Sequence, residues 1–131
     1  MLDKILGSVA NTFDRNFMTK RAIVNHATFI GMMHREEAQR WLAMLSYESL
    51  RAVNLATSNI NEGKGAISLQ LALATQKKIA RDVGNWDAYS FFDQMMGINE
   101  KSLDAISEPA WIQIEANLRI HDLDSIFEMG A

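Results

Sequence analysis

The chain has 131 residues, 48% of them hydrophobic and 22% charged, with seven glycines, one proline and no cysteine. That size and apolar content describe one folded domain rather than a disordered polar chain, and the lack of cysteine excludes disulfides, thiolate metal sites and a cysteine nucleophile. The net charge of −3 conceals a split: residues 1–81 carry eleven basic and six acidic side chains, net +5, and residues 82–131 carry two (Lys101 and Arg119) and ten, net −8.

In chain order, Leu2, Ile5, Leu6, Val9, Phe13 and Phe17 recur at three- and four-residue steps, which predicts an amphipathic helix over 1–18. Residues 1–21 hold four basic and two acidic side chains, a weak anchor for a membrane surface, so this helix is expected on the protein's own core or on a neighbouring subunit. Thr19 reads as the N-cap of the next helix. From 20 to 61 helical period runs almost unbroken, as one long helix or a kinked pair meeting near His34, where His34, Arg35, Glu36 and Glu37 interrupt the apolar positions. Ala22 to Met33 is apolar on nearly every side, which predicts a central buried helix near 22–33. Its twelve residues fall short of the roughly 20 that span a bilayer. With no secretory pattern at the start, the expected compartment is the cytoplasm, or a particle assembled there.

Gly63, Lys64 and Gly65 mark a helix-to-helix turn. A helix over 66–83 follows, with Ile67, Leu71, Ala74, Ile79, Ala80 and Val83 expected inward. The alternation of Ile67, Leu69, Leu71 and Leu73 also fits a strand, but it flows into Gln76, Lys77 and Lys78, so helix is the reading. Gly84 and Asn85 then make a stop and a start in adjacent residues. The acidic part, 86–131, is expected to hold a short helix from Trp86 to Met96 ended by Gly97, and another from Asn99 through Ile106. A last helix follows, capped by Ser107 with Pro109 in its first turn and with Phe127 among its apolar positions. The fold class is therefore all-α, a single-domain bundle of about five to seven helices.

No constellation for nucleophilic, acid–base or metal chemistry stands out. His26, His34 and His121 lack further ligands at matching spacing, and Asp122-x-Asp124 lacks the glycine and later oxygen ligands of a calcium loop. The glycine–lysine turn lacks the spacing of a phosphate loop. Arg21 and His26 stand in an Arg-x4-His spacing, which resembles the motif of the HEPN-domain ribonucleases; that resemblance implies an all-helical fold and RNA cleavage by the pair. It covers six residues, and Ala22 replaces the polar residue usual after the arginine.

The remaining signal concerns association. Trp86, Tyr89, Phe92, Met95 and Met96 crowd a helix too short to bury them alone, and with Phe13 and Phe17 they are the candidate interface. The basic side chains are scattered rather than clustered, which argues against nucleic acid as a partner. The charge split favours attraction between chains, head to tail. The expectation is a non-enzymatic structural or interaction protein without cofactor or metal, self-associating as a homo-oligomer or as a subunit of a larger assembly such as a virion or bacterial complex. The competing expectation is a small acidic inhibitor or immunity-type protein that binds a basic site on a partner.

Overall fold

The computed structural model describes residues 18–43 and 45–123, and these form six helices with no strand among them. They are α1 (18–29), α2 (Arg35–Leu42), α3 (Tyr47–Ala56), α4 (Lys64–Asp82), α5 (Trp86–Asp104) and α6 (Glu108–Ile120). The protein is an all-α bundle, as its period indicates. The expected helix over 1–18, with Phe13 and Phe17, lies outside the described residues apart from Met18, which is already helical.

The helix buried on every side is α4. Residues Ala66 to Ala74 are all buried, and α4 lies against α5 and α3. Alternate residues of a helix are about 200° apart around its axis, so Ile67 and Leu71 face away from Leu69 and Leu73. Each face has its own core. Leu69, Leu73 and Ala80 join Ile23, Val24 and Ala27 of α1, Leu50 of α3 and Phe92 of α5. Ile67 and Leu71 join Val53 and Ala56 of α3 and Ile114 and Leu118 of α6. The strand-like alternation is thus the mark of a helix shared by two cores. Each buried valine, leucine or isoleucine among them contributes about 1.5–3 kcal/mol by leaving water. The 22–33 segment is one wall of the first core rather than its centre: Ile23, Val24, Ala27 and Met33 are buried, whereas Phe29 is 86% exposed.

The 20–61 stretch is three helices, with breaks at two places. Gly31 stops α1 in the left-handed conformation, φ 70°, with Met32 N donating to Ala27 O and Gly31 N to Thr28 O. This closing pattern needs a residue that tolerates positive φ. The second break falls at Ser46, whose side chain accepts from Ser49 N at 3.1 Å and caps α3. Thr19 caps nothing; it is buried within α1, and its hydroxyl donates to Asn54 Oδ1 on α3.

Asn85 caps α5 as expected, accepting from Ala88 N at 3.2 Å. The helix does not end at Gly97. It runs to Asp104, because Phe92, Met96, Asn99 and Leu103 keep one inward face at helical spacing across the glycine. Ser107 stands at the N-cap of α6, but its hydroxyl and N–H both turn to Glu62, each at 2.8 Å, and join the α3–α4 connection to the α5–α6 connection. α6 ends at Ile120, and Phe127 is outside the described residues.

Candidate interaction surface

Two polar assemblies sit within the apolar cores and set the helix positions. Asn99, 0% exposed, donates through Nδ2 to Ala66 O at 2.9 Å and to Gln70 Oε1 at 3.0 Å. A backbone carbonyl only accepts, so this fixes which end of the amide faces α4. Asn99 Oδ1 then points to His26 Nε2, 3.0 Å away, and the imidazole must carry its proton on Nε2 to donate. Asn117 plays the corresponding part on α6, donating to Ala56 O and Ser58 O at 3.0 and 2.8 Å. Such buried amides fix register, since sliding one helix would strand donors and acceptors together.

Lys77 is buried on α4 while its ammonium reaches Asp93 of α5 at 2.7 Å and lies 5.0 Å from the centre of the Tyr89 ring. Its stem packs along apolar surface and its charge is delivered to the edge of the helix pair. Among the ionisable groups, Glu62 is held below the usual carboxylate range, first by the Ser107 N–H and then by its hydroxyl.

The candidate interface residues divide between core and surface. Phe92 is buried and packs on Trp41, with ring centroids 5.8 Å apart. Met95 and Met96 are half-buried against the first core. Tyr89 is also half-buried, and Trp86 stands edge-on to it at 5.5 Å, 61% exposed. Phe13 and Phe17 lie outside the described residues.

Other apolar residues are exposed where inward positions were expected. Ile79 is 50% and Val83 73% exposed, because α4 beyond Ala74 is covered on one side alone, the side of Lys77 and Ala80. Phe91 and Ile98 are exposed on α5, seven residues apart and therefore on one face. Near them a shallow groove of about 630 Å3 is lined by Ile30, Gln94, Gly97, Ile98, Lys101 and Ser102. A second cleft of about 750 Å3 lies between α1 and the α3–α4 connection, lined by Thr19, Asn54, Asn61 and Lys64 among others.

Arg21 and His26 lie on α1 about 140° apart around the axis, with Arg21 exposed and the His26 ring engaged by Asn99. His34 is the exposed residue before α2, and His121 the exposed residue after α6. Among the described residues no three His, Asp or Glu side chains converge as metal ligands, and no helix is long and apolar enough to cross a membrane. No protein-family model matches the chain, and no curated protein or solved structure matches it either.

Proposed function

We propose that the protein is a helical structural subunit that associates with copies of itself to build a larger assembly. The observation that carries this reading is the exposure of Val83 and Trp86 at the turn joining α4 to α5 and of Ile79 one helical turn earlier on α4. Three large exposed apolar side chains in so short a stretch of chain are surface a partner would cover. The charge distribution supports the same reading. Among the described residues, 18–81 carry nine basic and four acidic side chains, whereas 82–123 carry two and eight. Each chain thus offers both signs to its neighbours, an arrangement that speeds encounter and fixes orientation.

Size-exclusion chromatography with light scattering, run across protein concentration at low and high salt, tests the proposal. The expected outcome is a mass above the 14.8 kDa monomer at low salt that falls as ionic strength rises. A monomer at every salt and concentration overturns it.

A further inference from the structure

We infer that the outer stripe of α1 in one copy docks antiparallel on the outer stripe of α5 in the next, basic side against acidic side; this rests on the self-association proposed above. The α1 stripe is the first observation. Met18, Arg21, Asn25 and Phe29 recur at three- and four-residue steps along one face. Phe29 is 86% and Met18 57% exposed, and α1 contains no acidic residue. Arg35 is held over the same face, donating to Asn25 Oδ1 at 3.0 Å. Glu36 and Glu37 follow it but project about 100° and 200° further round α2. Two exposed guanidinium groups thus stand between two exposed apolar side chains.

The occupant follows from charge and spacing. On α5, Trp86, Asp93, Gly97, Glu100 and Asp104 share one exposed stripe, and Lys101, the one cation of the helix, lies about 100° round from Glu100. Asp93 already holds Lys77. Glu100 and Asp104 form no ion pair, and neither do Arg21 and Arg35: among the described residues the pairs are Lys77–Asp93 and Arg81–Asp82. Glu100 and Asp104 are four residues apart, about 6 Å along the axis at 1.5 Å per residue, and so are Arg21 and the Asn25 that anchors Arg35. The guanidinium forks of one copy therefore meet the carboxylates of the next in register. Run antiparallel, Phe29 falls four residues before Glu100, next to Gly97, where a Cβ would meet nothing within 4 Å among the described residues and the ring finds room. Run parallel, it would pass the end of α5 at Asp104. The contact is heterologous, one stripe from each copy, and it propagates as a ring or filament.

Paired charge reversals test this. Arg21→Glu with Arg35→Glu makes the α1 stripe acidic; Glu100→Arg with Asp104→Arg makes the α5 stripe basic. All four side chains are exposed, so both variants are expected to keep the helical circular dichroism of the unmodified chain. Each alone is expected to lose association by about tenfold or more in light scattering, because like charges then face each other. Mixed in equal amounts they are expected to recover it, since every contact between unlike variants is complementary again. The same reversal at Arg40 and Arg51, exposed but off both stripes, is expected to leave association unchanged. Stripe variants that associate like the unmodified chain overturn the assignment. So do a mixture that stays monomeric and a loss at Arg40 and Arg51 as large as at the stripes. An unmodified chain that is monomeric overturns the self-association reading as well, so the two failures are distinguishable. Binding of that monomer to phosphatidylserine vesicles, lost when Arg21 and Arg35 are reversed, would assign the α1 stripe to a lipid surface instead.

Discussion

His26 and Asn99 are 73 residues apart in sequence, and one hydrogen bond of 3.0 Å between their side chains ties α1 to α5 across α4. The amide that accepts it is committed at its other end to Ala66 and Gln70. Replacing it removes three bonds at a site with no access to water. Asn99→Ala is expected to lower stability by about 2–4 kcal/mol, from stranded polar partners plus a small cavity. Asn99→Asp is expected to cost more at neutral pH, since a carboxylate offers no N–H to Ala66. That deficit should shrink on acidification, as the protonated acid regains a donor. Urea unfolding of the three proteins at two pH values measures this, and a loss below about 1 kcal/mol for Asn99→Ala contradicts it.

Glu62 gives the fold an acid-sensitive tie. Because the two Ser107 donors lower its pKa in the folded state, the bond's contribution is present above the unfolded-state pKa. It is lost as pH falls through the lowered folded value. An NMR titration is expected to place Glu62 below the ordinary 4.5. In Ser107→Ala it should return only part of the way, since the backbone N–H, the larger cause, is still there. A Glu62 titration that Ser107→Ala leaves unmoved contradicts this.

Signals that act within a few residues were legible in the sequence. Gly84 and Asn85 stop one helix and start the next as their chemistry demands, and Pro109 sits in the first turn of α6. The breaks at Gly31 and Ser46 carry the same chemistry, but they are embedded in apolar, helix-periodic sequence that masks them. What was not legible depends on neighbours far away in the chain. Asn99 stands two residues after Gly97 and reads locally as a cap; only the approach of α4 turns it into a core residue. Likewise Phe92 and Trp86 are two aromatic residues of one short segment, and of the two only Phe92 meets the first core, where Trp41 packs against it. Ile79 and Val83 continue the period of a buried helix past the point where its cover ends.

Gly63 tests the α3–α4 turn. It adopts φ 71°, and a Cβ there would stand 2.5 Å from Cγ1 of Ile106. Gly63→Ala therefore combines a left-handed backbone penalty of about 1–2 kcal/mol with overpacking of about 1–3 kcal/mol. Gly31 has nearly the same φ, 70°, with nothing within 4 Å among the described residues, so Gly31→Ala is expected to carry the backbone penalty alone. The expected order is Gly63→Ala well below Gly31→Ala in thermal midpoint. Equal midpoints would show that Ile106 yields without cost.

Ser68 is as fully buried as Asn99, on the same helix that Asn99 grips, yet its substitution is expected to have the opposite sign. Its Oγ has no hydrogen-bond partner among the described residues, not even the preceding-turn carbonyl that Thr57 and Thr75 use. A desolvated hydroxyl without a partner costs about 1–3 kcal/mol. Alanine removes that group, leaves little space behind and has the better helix propensity by up to about 0.5 kcal/mol. Ser68→Ala is therefore expected to raise stability by about 0.5–2 kcal/mol, whereas Asn99→Ala lowers it. The pair separates a buried polar group that holds helices together from one that merely weakens their contact. A Ser68→Ala variant less stable than the unmodified chain by 1 kcal/mol or more in urea, on the scale of one net hydrogen bond, would mean that the hydroxyl is engaged after all.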